Sequence, residues 1–383
     1  MSDLTNDWQR PVKIVFVIDS LMRHGTQRFL TYLAHGLSDL GYTQRVIVLN
    51  KAFDPEIEEA LSSVGCRITY IGKFMFLLAG AGWWHLVAIL RRSSPDVVIT
   101  ILDFADTLGR PAARLAGCPV LVSSIQVRNL TKPLWRRWID RKTGSWAAKI
   151  VFNTNEIVNY ARETEGIRED QVVVIPNGVE DLLAQSGALR VPRRNELRIG
   201  TETVLLGTVG RLYRQKNVPL LLRSTAKLTT ARPWKILVVG DGPERKRLVT
   251  LARELALSER VIWLGAREDV GGWLAAMDIF VHTADFEGMP NAVMEAMAMA
   301  LPVVASNVDG NRELIRNEVT GYLVTPGNVS AFTEQIQQLM DNPDRAHEVG
   351  RKAHQEVLER FNMPRMVRAY DQLFVSLGHT QRA

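Results

Sequence analysis

A chain of 383 residues, 46% hydrophobic and 23% charged, is too long for one core and too evenly mixed for a disordered or membrane-embedded protein, so two soluble domains are expected. The net charge of +6 is modest and by itself names no partner. The opening MSDLTNDWQR is polar rather than basic then apolar, and Cys66 and Cys118 lack metal or redox spacing. A cytoplasmic protein with free thiols is expected, with no secretion signal.

Strand-like apolar runs alternate with helical segments along the chain, the pattern of parallel sheets built from βαβ units. The first half gives strands at Val12–Ile18, Arg45–Leu49, Arg67–Ile71, Asp96–Ile101, Pro119–Ser123, Lys149–Phe152 and Val172–Ile175. RHGTQRFL at Arg23–Leu30 opens a helix after the first strand, where Gly25 and Thr26 let backbone amides approach a donor phosphate or an acceptor. Phe74–Leu90 is nearly uncharged and ends at Arg91-Arg92, but it contains Gly80, Gly82 and His85 and is short for a bilayer span. It reads as a buried helix, or one that touches a surface through Trp83-Trp84. Asp103 and Asp106 follow the fourth strand and are either acceptor-side bases or helix caps. SSIQVRN, Ser123–Asn129, offers Gln126, Arg128 and Asn129 to an acceptor pocket.

Between Arg128 and Lys149, seven basic residues (Arg128, Lys132, Arg136, Arg137, Arg141, Lys142 and Lys149) face one acid, Asp140. Trp135, Trp138 and Trp146 are interleaved with them. Such a segment, 128–149, is either a surface that rests on anionic lipid headgroups or a solvated basic helix whose tryptophans pack inward. No nucleic-acid motif accompanies it, so nucleic acid is not an expected partner.

After a PNGV turn at Pro176–Val179, the polar stretch Gln185–Thr203 reads as an interdomain linker. The strand rhythm restarts at Val204–Val209 and continues at Trp234–Val239, Val261–Trp263, Asp278–Val281, Pro302–Ala305 and Gly321–Val324. The fold class is therefore α/β, two Rossmann-like parallel-sheet domains, at 1–184 and 185–363, each with its ligand edge at the strand C-termini. In VGRLYRQKN, Val209–Asn217, Gly210 is followed by Arg211 and Lys216, two cations at a strand's C-terminal edge, where a diphosphate would lie. VVGDGPERKRL, Val238–Leu248, reads as strand, tight turn and helix.

DFEGMPNAVMEAMAMALPVVASNVDG, Asp285–Gly310, sets Glu287 in a loop and Glu295 on a helix eight residues later. Pro290 suits the first helical position, with Ala292–Ala300 continuing the helix. The first-turn amides make an anion site. The two carboxylates are expected about 8–12 Å apart at 1.5 Å per helical residue. That is wrong for a shared proton but suits the two hydroxyl-rich ends of an extended ligand, such as a nucleotide sugar.

The EGMPNAVMEAMAMALPVVASNVDG and GRLYRQK strings resemble the glutamate-pair and GRL-x-x-QK signatures of retaining glycosyltransferases of family 4, which have the two-domain GT-B architecture facing a cleft. The resemblance implies that Glu287, with the backbone of Gly288, Met289, Pro290 and Asn291, holds donor sugar and diphosphate, and that Glu295 holds the ribose. Arg211 and Lys216 would neutralise the leaving diphosphate. WLGAREDV, ending at Val270, would wall the base, and Asp309-Gly310, Arg312 and Glu313 match the family's glycine turn. A final helix, Pro364–Leu377 within 364–383, would cross back to the first domain. The implied donor is a UDP- or GDP-linked sugar, with no metal and no other cofactor, since no Asp-x-Asp pair is present. The implied acceptor is a glycan or glycolipid, reached in the cytoplasm or on the inner face of a membrane. The family's first-domain Gly-Gly is broken here by His24, and the histidine many relatives carry near the fifth strand is absent from SSIQVRN. Two other readings are a nucleotide-sugar epimerase of the same architecture and a membrane-associated scaffold with a decayed site.

Overall fold

The computed structural model describes residues 11–22, 25–72, 80–126 and 132–380. Contacts divide it into two units, residues 1–178 with 363–383, and residues 179–362.

In the first unit, seven short runs rich in Val and Ile form β1 (Lys13–Ile18), β2 (Thr43–Val48), β3 (Arg67–Tyr70), β4 (Val97–Ile101), β5 (Val120–Ile125), β6 (Lys149–Phe152) and β7 (Val172–Val174). They pair in parallel in the order β3-β2-β1-β4-β5-β6-β7. Helices α1 (Gly25–Asp39), α2 (Pro55–Ser63), α3 (Ala81–Ser93), α4 (Asp103–Ala116), α5 (Leu134–Thr143) and α6 (Asn155–Glu165) connect them. Alternate strand residues feed two cores, with Ile14, Phe16 and Ile18 on one face of the sheet and Val15 and Val17 on the other. Both faces are covered, as an all-parallel sheet requires. The later part of the helix expected across 74–90 is seen as α3; residues 74–79 of that stretch lie outside the described residues. Trp83 is tied inward by its indole N–H donating to the Leu108 carbonyl at 3.0 Å, while Trp84 is exposed. Among the described residues, no helix is long and apolar enough to cross a membrane.

The second unit begins with α7 (Leu183–Glu196), where the polar composition of Gln185–Thr203 suggested a linker. The correction has a plain cause: the inward face of α7 is largely made of arginines. Arg190 donates to the carbonyls of Ala275 and Met277 and to Asp278, and Arg194 to Ala276, Gly200, Thr203 and Asp278. Arg193 lies 4.5 Å from the Trp273 ring centroid and pairs with Asp269.

The remaining elements are β8 (Val204–Val209), α8 (Val218–Thr225), β9 (Trp234–Val239), α9 (Arg245–Glu254), β10 (Val261–Gly265), α10 (Val270–Ala276), β11 (Ile279–His282), α11 (Asn291–Ala298), β12 (Val303–Ser306), α12 (Asp309–Leu314), β13 (Tyr322–Val324), α13 (Val329–Asp341) and α14 (Pro343–Arg360). Their parallel sheet has the order β10-β9-β8-β11-β12-β13. The last helix, α15 (Met363–Thr380), packs in the first unit, where Tyr370 lies 5.8 Å from Phe29 and Asp371 accepts from the Tyr42 hydroxyl at 2.5 Å. In each sheet the strand order reverses once, between β1 and β4 and between β8 and β11, and an open α/β sheet offers its ligand crevice at that point.

Candidate donor site in the second domain

The loops that leave β8 and β11 are stitched together by hydrogen bonds. The Asp285 N–H donates to Gln215 O at 2.9 Å, Gln215 Nε2 to Phe286 O at 2.8 Å, and Asn217 Nδ2 to Asp285 Oδ1 at 2.7 Å. The Thr283 hydroxyl donates to the Lys216 and Asn217 carbonyls. This seam brings Lys216 Nζ onto Glu287 Oε1 in a close ion pair. The same oxygen lies 3.3 Å from Nε2 of His282, the last residue of β11. Burial alone would raise the Glu287 pKa, but the Lys216 cation and His282 outweigh it and bring the carboxyl down to about 2. It is an anion at any physiological pH and a poor base.

Arg211 is exposed, with its guanidinium 5.0 Å from the Tyr213 ring centroid. Gly210 follows β8 with φ of 154°, and its carbonyl is so near Gly240 that a Cβ on the latter would stand 1.9 Å from it. That contact explains the glycine of VVGDGP: it fixes the β8 loop from the neighbouring strand. Gly310, at the start of α12, does the same for the glutamate loop, since a Cβ there would meet the Gly288 carbonyl at 1.5 Å.

Helix α11 runs from Asn291 to Ala298, so Pro290 is not its first residue but its N-cap, with ψ of 102°. The proline ends the loop in extended backbone instead of starting the turn. Gly288, Met289 and Pro290 are buried, Asn291 is partly exposed, and Glu295 is buried on α11. Val270, partly exposed, opens α10. Thus Gly210, Arg211, Lys216, Glu287 and the backbone of 288–291 belong to two loops at one switch point. His282 escaped the sequence reading because it stands just past the expected strand Asp278–Val281, where a polar residue looks like a strand boundary.

The first-domain candidates divide differently. Gly25 and Thr26 begin α1, while Arg128 and Asn129 lie outside the described residues. Gln126 is buried, its amide N–H donating to Ser124 Oγ and its oxygen accepting from Asn153. Asp103 and Asp106 lie in the first turn of α4, but neither caps it. Asp19, at the end of β1, accepts the Ala105 and Phe104 N–H groups at 2.7 and 3.3 Å. Burial pushes Asp19 up to about 7, against the pull of those two hydrogen bonds.

Asp106 faces the interior, and this corrects its reading as an acceptor-side base. It accepts from the Thr100 hydroxyl at 2.5 Å and sits 3.5 Å from the fully buried Arg110. Arg110 also reaches Glu165 at 3.3 Å, and Lys132 Nζ joins Asp140, Glu165 and Asp103 at 2.7, 2.8 and 3.2 Å. Arg136 lies 3.8 Å from the Phe104 ring centroid. Two of the seven basic residues counted in 128–149, Lys132 and Arg136, therefore serve the interior, as does Asp140. The tryptophans do not pack inward: Leu134 is 81% and Trp138 64% exposed, and Trp135 and Trp146 are exposed too.

Residues 192–356 match the family described as glycosyl transferases group 1, and residues 23–181 the family described as glycosyltransferase family 4. An Escherichia coli relative, UDP-Gal:alpha-D-GlcNAc-diphosphoundecaprenol alpha-1,3-galactosyltransferase, is 28% identical over 306 residues, which is 76% of this chain and 78% of that one. The lipopolysaccharide core biosynthesis glycosyltransferase LpsE of Rhizobium meliloti is 24% identical over 92% of this chain and 96% of its own. The solved structure of Anabaena HepE in complex with UDP and glucose has a TM-score of 0.84 at 21% identity, covering 95% of this chain and 100% of that one, and shows a shared fold. The epimerase reading has no support among these relatives. With a family match on each domain and a parallel-sheet α/β fold in both, the chain belongs to the family 4 glycosyltransferases of GT-B fold.

Proposed function

We propose that this glycosyltransferase moves a sugar from a UDP- or GDP-linked donor to a hydroxyl of a lipid-linked or lipopolysaccharide glycan, with retention at the anomeric carbon and without a metal. The carrying observation is the convergence of Lys216, Glu287 and the Arg211 loop on the β8/β11 edge. Arg211 and Lys216 stabilise the charge that grows on the leaving diphosphate, and Glu287 accepts hydrogen bonds from donor sugar hydroxyls. Glu295 holds the ribose and Val270 borders the base. Because Glu287 is ion-paired and a poor base, a front-face reaction is favoured. The bond from anomeric carbon to phosphate oxygen breaks, the acceptor oxygen bonds to that carbon on the same face, and its proton passes to the departing phosphate oxygen. Asp103, Gln126, Gly25 and Thr26 are the first-domain candidates for contact with acceptor or donor phosphate in this reading, with Arg128 and Asn129 assigned from sequence.

The acceptor class is supported by the lipid-linked and lipopolysaccharide substrates in the relatives' names. It is supported also by α5, where exposed Leu134, Trp135 and Trp138 stand beside exposed Arg141 and Lys142. Indole with cation suits an anionic headgroup layer at the cytoplasmic face of a membrane. A thermal-shift screen of uridine and guanosine diphosphates and their sugars tests the donor; stabilisation by one base series is expected. No response to any would return the scaffold reading. NMR of the product tests stereochemistry, and an inverted anomer refutes the mechanism. Sedimentation with anionic vesicles at low salt, lost in Trp138→Ala, tests the surface.

A further inference from the structure

His282 is not assigned by either signature string, yet it lies at the centre of the donor loops. It ends β11, is 2% exposed, and its ring lies nearly parallel to Phe280, at 12° and 6.4 Å between centroids. Its Nε2 is 3.3 Å from Glu287 Oε1 but off the line of a hydrogen bond, so a fully buried nitrogen has no aligned partner. An unsatisfied buried polar atom has a cost, and at a binding site it marks a contact completed by ligand. Burial and the Lys216 cation both lower the His282 pKa, against the pull of Glu287, and favour a neutral ring. Of the two neutral tautomers, only the one with hydrogen on Nε2 faces a carboxylate without lone-pair repulsion.

Lys216 and His282 meet the same oxygen of Glu287. A diphosphate carries more charge than one carboxylate and competes for the lysine. Glu287 must keep its place while its cation is drawn away. We propose that His282 is a positioning residue: as Lys216 turns toward the donor diphosphate, the Nε2–H of neutral His282 takes over Glu287 Oε1 and holds the carboxylate, through Oε2, on the donor sugar hydroxyls. This rests on the reading of Glu287 as the sugar-binding carboxylate. It assigns His282 a role toward the sugar half of the donor and none toward the nucleotide half. No proton is transferred in the step; one hydrogen bond replaces an ion pair.

The test uses the whole protein with UDP-galactose, UDP-glucose and GDP-mannose as probes, each paired with free UDP or GDP. His282→Leu is expected to weaken binding of the accepted nucleotide sugar by tenfold or more and to lower kcat, while free nucleoside diphosphate binds within twofold of wild type. His282→Gln, whose amide places a donor near the Nε2 position, restores most of the loss. In wild type, nitrogen-15 NMR of the ring is expected to show the neutral Nε2–H tautomer, with the Nε2 signal moving on addition of nucleotide sugar and staying in place with free diphosphate. This readout does not depend on a variant folding. A charged ring, an Nδ1–H tautomer, or equal losses for sugar-linked and free diphosphate in His282→Leu overturns the positioning role alone. Failure of wild type to bind any of the three sugar nucleotides overturns the donor site as well.

Discussion

Both domains gather charged side chains in one place, but in the first each acid of the cluster is paired with a buried cation, while in the second the charges gather at the C-terminal edge of the sheet. Arg110 and Lys132 meet Asp106, Glu165, Asp140 and Asp103 across α4, α5, α6 and the segment just before α5, nearly all out of solvent. The cluster joins helices distant in sequence, and every acid in it has a cation within 3.5 Å. In the second domain Glu287 has Lys216, an unaligned His282 at the end of β11 and an exposed Arg211 five residues before that lysine, all at the C-terminal edge of the sheet. Buried charges that close on each other brace a fold; charges held by loops at a strand edge can exchange partners. Alone, the presence of charge in a domain says little about which of the two it is.

The comparison is broken most severely at Arg110. Arg110→Leu strands Glu165 and Asp106 inside the first domain and should cost about 3–5 kcal/mol in urea unfolding. A neutral result would mean that the cluster is not closed. The donor side gives the next effect. Arg211→Ala removes an exposed cation, so it should leave the unfolding midpoint in place while lowering kcat/KM by roughly 2–4 kcal/mol of transition-state stabilisation. Loss of stability without loss of turnover would reverse the two domains' roles.

The smallest effect is in pH. Asp19 is pushed up to about 7 by burial, so its folded form holds a proton that the unfolded chain releases near its ordinary value of 3.8. Its contribution to stability is full below that value and is lost as pH rises through about 7. Glu287 has the opposite sign: depressed to about 2, it contributes above 4.5 and loses that contribution as pH falls toward 2. Asp19→Asn should therefore flatten the change in melting temperature between pH 5 and 7.5, and Glu287→Gln the change below 4.5. Identical pH profiles for the two variants would contradict the assignment.

Much of this was legible before any coordinates. Strands of β-branched residues stand out wherever both faces of a parallel sheet are buried, and Lys149–Phe152, Val204–Val209 and Trp234–Val239 have the same bounds in sequence and structure. The donor strings were legible because loops must be short and their glycines fixed: Gly240 and Gly310 stand where any side chain would strike the backbone of the loops they support. Helix α7 was not legible, because an amphipathic pattern is sought in apolar residues and this helix turns arginines inward onto carbonyl oxygens. Lys132 and Arg136 were counted as surface charge for a related reason. Asp140 is close to Lys132 in sequence, but Asp103, which both cations meet, and Glu165, which Lys132 also meets, lie on helices outside that window. His282 and Asp19 were hidden at strand ends, where a polar residue looks like a boundary rather than a function.

The most direct test of the donor site is calorimetric titration of wild type and Lys216→Ala with UDP, GDP and their sugars. Wild type should bind one base series, and the variant should bind its diphosphate at least tenfold more weakly while remaining folded. Equal affinity in the two proteins, or no binding by wild type, would contradict the placement of the donor on the β8 and β11 loops.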